Sequence, residues 1–101
     1  MKSSVEQTDK LNIITSVLLK WLQPKRIWLF GSRSSGENKP WSDFDIAIEE
    51  HRGDFRSFRK AREELDLKLG IHSADVIDLD NADPEFKILI YEKGEMIYER
   101  N

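Results

Sequence analysis

Cysteine is absent from the 101-residue chain, which excludes disulfides and thiolate metal sites. Proline is scarce, at 3 residues, and glycine numbers only 5, so each marks a boundary between elements and none belongs to a repeat or a low-complexity linker. No apolar run approaches the roughly 18 residues that a membrane span requires. The opening MKSSVEQTDK is polar and lacks the apolar stretch of a secretion signal, so a cytoplasmic location is expected. Basic residues are not in excess. Lys and Arg total 16 against 19 Asp and Glu, a net charge of −3. That balance argues against a nonspecific binder of nucleic acid or membrane surface, while leaving room for a local basic patch.

Residues 1–101 suffice for a single domain with one core. A domain this small buries about 65% of the surface that its unfolded chain exposes, so it can fold alone. It has no room for a separate substrate domain, and part of any composite site would come from a partner. Leu11, Ile14, Leu18, Trp21 and Leu22 recur at helical spacing, with Thr8 or Asp9 as the expected cap and Pro24 as the stop. Arg26–Phe30 reads as a buried strand ending at Gly31. Ser32–Ser35 suits one helical turn closed by Gly36, followed by the polar loop Glu37–Pro40.

Phe44–Glu49 is the second expected strand. A second helix opens at Gly53-Asp54, with Phe55, Phe58, Arg62, Leu65 and Leu69 on one face and Gly70 at its end. Ala74–Leu79 is the third strand. Asp83-Pro84 starts a third helix whose Phe86, Leu89 and Ile90 face inward, and Met96–Tyr98 adds a last strand after Gly94. This order of elements predicts an α/β domain: a short mixed β-sheet flanked by helices.

The stretch GSRSSGENKPWSDFDIAI, residues 31–48, carries the chemistry. Its two glycines are spaced as in a Walker phosphate loop, but Glu37 and Asn38 stand where Lys and Ser/Thr are required, so that site is rejected. A strand ending in Gly31-Ser32 before a helical turn still offers backbone N–H groups to an anion. Ser32 adds a hydroxyl and Arg33 a charge, although the pair alone reads first as an ordinary turn. Asp43 and Asp45 share one face of a strand, roughly 7 Å apart along the chain. Alone, such a pair is most simply a solvated edge. The apolar Phe44, Ile46 and Ile48 on the opposite face pin the register, and Asp is a poor strand former, so the pair asks for a cation. Magnesium takes carboxylate and phosphate oxygens. Asp75, Asp78 and Asp80 offer a third acid from a neighbouring strand. Asp75 and Asp78 fall on opposite faces, so only one joins, whereas Asp78 and Asp80 read as an acidic strand end.

These residues resemble the nucleotidyltransferase superfamily that includes DNA polymerase beta and kanamycin nucleotidyltransferase. The carriers are Gly31-Ser32, Ser42-Asp43-Phe44-Asp45-Ile46-Ala47-Ile48 and an isolated strand acid. Over about residues 10–100 the chain is similar to the minimal nucleotidyltransferases, or MNT proteins, through Ala74–Leu79, the helix led by Pro84 and the ending Gly94 through Tyr98-Glu99. It departs from them at Ser35, where the family often has a second Arg, and at Ala74, where Val is usual. The resemblance implies the nucleotidyltransferase fold. It also implies that Asp43, Asp45 and Asp75 are catalytic and hold two Mg²⁺ ions on ATP. Gly31 and Ser32, with Arg33 and Ser42 beside them, would contact the nucleotide.

MNT proteins often pair with a helical HEPN ribonuclease toxin, which they inactivate by transferring AMP to a tyrosine. The resemblance thus implies an antitoxin that is a protein adenylyltransferase, in a hetero-oligomer with that partner or as a homo-oligomer. No Arg stands five residues before His51 or His72, so the chain is not itself the toxin. Two other readings are a standalone enzyme acting on a small molecule such as an aminoglycoside, and a non-catalytic toxin-binding module. Trp21 and Trp28 read as packing, and Trp41 as a base-stacking residue or a loop plug. Arg56, Arg59, Lys60 and Arg62, with Glu63 and Glu64, read as a solvated helix face. His51 and His72 lack metal-ligand spacing and receive no role, and Lys39 joins Arg33 as a weaker phosphate contact.

Overall fold

A computed structural model describes residues 3–30 and 44–101, with side chains of the first helix described from residue 9 onward. The turn expected over Ser32–Ser35, the loop Glu37–Pro40 and Trp41 lie outside the described residues. The first helix, α1 (Ser3–Trp21), begins several residues before Thr8 and Asp9, so neither is its cap. No Gly or Pro interrupts residues 3–21, and nothing in that run stops the helix from extending toward the N-terminus. It ends ahead of Pro24, as expected, where Gln23 takes a positive φ of 49°.

Strand β1 (Arg26–Phe30) is followed by β2 (Phe44–Glu49), α2 (Phe55–Leu69) and β3 (Ala74–Asp78). A 3-10 turn (Leu79–Asn81), α3 (Pro84–Lys93) and β4 (Glu95–Glu99) complete the chain. The third strand is one residue shorter than its pattern suggests, because the Asp78 side chain accepts from the Asp80 N–H and bends the backbone into the 3-10 turn. The strands lie in the order β3-β2-β1-β4. β1 pairs antiparallel with β2 and β4, and β2 pairs parallel with β3 across the α2 connection. The sheet is therefore mixed, as the order of elements implied.

The period-2 alternation of the strands divides the core. Ile27 and Leu29 of β1, Phe44, Ile46 and Ile48 of β2, and Val76 of β3 pack against Ile14, Val17 and Leu18 of α1 and Ala61, Leu65 and Leu69 of α2. The other face carries a smaller cluster, Ala47, Leu79 and Ile90, bordered by Trp28, Phe30, Ile77 and Phe86. Two helix faces differ from their sequence patterns. Phe55 is 83% exposed because the first turn of α2 stands beside a cavity next to β3, leaving Ala61, Leu65 and Leu69 to supply the buried stripe. On α3, Ile90 is buried and Leu89 is exposed, since the short helix meets the sheet through Phe86 and Ile90, four residues apart. Asp54 caps α2 through the Ser57 N–H, whereas Asp83 makes no side-chain cap and α3 starts on Pro84 alone. Gly94 joins α3 to β4 where an added Cβ would stand 2.8 Å from the Ile90 carbonyl oxygen, so only glycine fits without a backbone shift.

Two polar anchors hold the layers. On the α3 side, the buried Glu49 accepts from Trp28 Nε1 at 3.0 Å, Arg26 Nη1 at 3.2 Å and the Tyr91 hydroxyl at 2.7 Å. Arg26 also meets Glu50 and Glu99, tying β1 to both flanking strands. The bond to Glu49, then burial, push the Tyr91 phenol above its usual range. Between the helices, Glu64 of α2 accepts from Trp21 Nε1 at 2.8 Å, Lys20 Nζ at 3.0 Å and Lys68 Nζ at 2.9 Å. These bonds, the one from Trp21 foremost, lower its carboxyl from 4.5 to about 2. Among the described residues no buried side-chain polar atom lacks a partner.

Replacing Tyr91 with Phe removes one donor from a buried carboxylate, and the variant is expected to lose about 1 kcal/mol. A loss of that size lowers Tm by about 4–8 °C in a domain of this size; an unchanged melting curve contradicts the assignment. The second anchor is pH-dependent. Because the folded-state value of Glu64 is depressed, its contribution is complete above about 4.5 and disappears as the pH falls toward about 2. Glu64→Gln is thus expected to be less stable than the parent at neutral pH, with the gap closing across that acid window in urea titrations. A constant gap refutes this.

Candidate active site

The residues of β2 alternate between two environments. Phe44, Ile46 and Ile48 are fixed in the core under α1 and α2, which turns Asp45 to the α3 face of the sheet. A slip of one residue would bury the carboxylate, so the apolar set fixes where Asp45 points. On β3 the buried Val76 does the same for Asp75. The parallel pairing begins with the Phe44 N–H donating to the Ser73 carbonyl at 3.1 Å, and its register makes Asp45 and Asp75 direct Cα partners. Neighbouring strands lie about 4.8 Å apart, so two carboxylates from separate segments stand side by side. Asp45 is half-buried and Asp75 exposed.

On the other side of Asp45 its partner is Phe30, the last residue of β1, whose ring packs edge-on against Phe86 with centroids 5.8 Å apart. The row Phe30, Asp45, Asp75 thus runs across three strands, with an aromatic wall at one end. Asp78 pairs with Ile48 and belongs to the opposite face, so the parity expectation holds: Asp75, not Asp78, joins the acid of β2. Gly31, Ser32, Arg33, Ser42 and Asp43 lie outside the described residues. In the chain, Gly31 follows Phe30 and Asp43 precedes Phe44, and both of those strand ends adjoin Asp45. Two neighbouring carboxylates repel unless a cation lies between them, and an all-oxygen donor set is the kind that magnesium accepts.

A second polar cluster forms at the opposite end of the same strands. His51 Nε2 lies 3.0 Å from Asp78 Oδ1 and 3.4 Å from Asp80 Oδ2. Its Nδ1 accepts from the Gly53 N–H at 3.1 Å, which places the ring proton on Nε2, facing the two carboxylates. Asp80 accepts the backbone N–H groups of Glu50 and His51, and Asp78 those of the Asp80 backbone and the Asn81 side chain. The cluster clasps the β2–α2 connection to the β3–α3 connection. The three side chains offer ligand atoms within 4.8 Å of one another, a spacing open to a divalent ion. The sequence leaves His51 without a role, and this contact corrects that. Its partners lie 27 and 29 residues away, a separation with no local spacing signal. Asp78 and Asp80 do come together, but through the 3-10 turn and not as one strand face.

Residues 12–101 match the family described as polymerase beta nucleotidyltransferase. Among curated proteins, the chain is 29% identical over 98 residues to a probable protein adenylyltransferase MntA of Haemophilus influenzae, covering 93% of this chain and 83% of that one. Its fold is similar to that of a tri-AMPylated Shewanella oneidensis HEPN toxin in complex with MNT antitoxin. The TM-score there is 0.71 at 23% identity, over 93% of this chain and 73% of the other. A toxin–antitoxin structure with AMP-PNP aligns with a TM-score of 0.69 at 26% identity, over 89% of this chain and 73% of the other. With nine-tenths of its length matched and acids paired across β2 and β3, this chain belongs to the polymerase beta nucleotidyltransferase family.

Proposed function

We propose that this nucleotidyltransferase moves AMP from ATP to a tyrosine hydroxyl of a helical HEPN-type toxin and so acts as its antitoxin. The observation that carries the reading is the register pairing of Asp45 with Asp75, next to the strand end that leads into Gly31-Ser32. The adenylyltransferase relative and the AMPylated-toxin complex support the choice of acceptor. The whole chain, residues 1–101, acts as one minimal domain, in the cytoplasm where ATP is supplied. Among the described residues no helix is long and apolar enough to cross a membrane.

In this reading Asp43, Asp45 and Asp75 would hold two Mg²⁺ ions, which would supply positive charge to the triphosphate and to the oxygens that gain charge during transfer. Gly31 and Ser32 donate to the β- and γ-phosphates through backbone N–H and hydroxyl groups, with Arg33 and Ser42 alongside. Phe30 and Phe86 form an apolar boundary beside Asp45 that excludes water from one flank. The acceptor oxygen attacks the α-phosphorus in line with the bond to the β-phosphate. That bond breaks, pyrophosphate leaves, and the hydroxyl proton passes to Asp75. The sheet keeps the two described acids in place because their strands are anchored from the opposite face.

The test combines purified protein, Mg²⁺ and α-labelled ATP, with and without the helical partner. Label is expected on the partner, reduced about a hundredfold or more by Asp45→Asn and by Asp75→Asn. Removal of Mg²⁺ by EDTA should abolish it. Equal neutralisation of the partner by parent and variants without any label refutes catalysis in favour of contact inhibition. Label on an aminoglycoside alone points to a small-molecule enzyme.

A further inference from the structure

The first half of α2 and the connection before it carry charge of the opposite sign to the chain as a whole. Arg52, Arg56, Arg59, Lys60 and Arg62 fall within residues 52–62, which hold one acid, Asp54, in a chain of net charge −3. All five are exposed, and none forms an ion pair with a described residue. Such a stripe alone is an ordinary solvated surface. Here it borders a cavity of about 280 Å³ between α2 and the edge strand β3, lined by Phe55, Phe58, Arg59, Arg62, Val76 and Asp78. A second cavity of about 310 Å³ shares Phe55, Phe58 and Asp78 and continues toward His51 and Asn81.

The walls of this groove combine an aromatic ring held out in water with positive charge that no described acid pairs, a combination that marks binding hot spots. Phe55, at 83% exposure, has little packing to account for its size. The acids in the groove are already engaged: Asp78 accepts from His51, the Asp80 backbone and Asn81, and Asp54 from the Ser57 N–H and hydroxyl. Arg62 Nη2 donates to the Val76 carbonyl at 3.3 Å, covering part of the open edge of β3, so an added strand is not the occupant this edge invites.

We propose that the groove docks an acidic segment of the acceptor protein, with an apolar side chain seated between Phe55 and Phe58 and carboxylates meeting Arg59 and Arg62. Arg52, Arg56 and Lys60 flank the contact and steer the encounter. The identity of the probe rests on the proposed adenylyl transfer, while the surface itself does not use the Asp45–Asp75 face. The groove reaches the sheet at Asp78, the end of β3 opposite Asp75, so a partner held there leaves the acidic pair open to nucleotide.

The experiment measures affinity for the purified helical partner by isothermal titration at two salt concentrations. Arg59→Glu and Phe55→Ala are each expected to weaken binding about tenfold, and Arg59→Glu to flatten the salt dependence. Lys93→Glu, an equal charge reversal on α3, should bind as the parent does. At saturating partner both groove variants should still transfer label from ATP. Parent-like affinity in both groove variants, with label transferred normally, overturns the docking site and leaves the enzymatic reading standing. Weakened binding in the variants, with no label transferred by the parent, upholds the docking site and sinks the enzymatic reading. Loss of affinity for single-stranded RNA but not for the partner would reassign the groove to nucleic acid, and loss of self-association alone would reassign it to a second copy.

Discussion

A strand of six residues, Phe44–Glu49, carries two incompatible demands, and the core settles them. Phe44, Ile46 and Ile48 insert between the sheet and the two large helices, so the alternate residues have no choice but the other face. Because the strand is central, with β1 on one side and β3 on the other, its register is fixed twice over. Asp45 is thus placed by side chains that pack on the opposite face of its strand. The parallel pairing with β3 then carries that placement to Asp75, and the antiparallel pairing with β1 carries it to Phe30 and the start of the Gly-Ser segment.

The same face of the same strand treats its acids in different ways. At one end Glu49 is enclosed by donors from Arg26, Trp28 and Tyr91, and its charge is matched within the fold. Near the other end Asp45 stands beside a second carboxylate. A carboxylate set next to a like charge across two paired strands suits the proposed binding of a cation and a polyphosphate. The His51 clasp lies apart from the Asp45–Asp75 pair, joining two connections at the far end of the sheet.

Family membership places these features in one frame. In the proposed function the acceptor is itself a protein, which can supply part of a composite site from its own surface. The basic, aromatic groove along α2 gives such an acceptor a hold away from the acidic pair, so that binding energy and reaction chemistry occupy different ends of a four-stranded sheet. Remote binding of this kind positions a hydroxyl without crowding the nucleotide.

The order of elements, the mixed sheet and the opposite facing of Asp75 and Asp78 were legible in the residues. Periods of 2 and 3.6 are local, and Pro24, Gly70 and Gly94 mark the ends of helices whatever surrounds them. The pattern misplaced Phe55 and Leu89, since a short amphipathic stripe does not say how far the opposing layer extends. The start of α1 was missed because a helix without a breaker has no sequence-local beginning. His51 with Asp78 and Asp80, the three donors around Glu49, and the groove beside β3 escaped altogether. Each joins side chains tens of residues apart, and such contacts leave no periodic trace in a sequence. Local chemistry therefore determined which face each acid takes, and only chain packing decided which acid becomes its neighbour, because register between strands is fixed by the shared core.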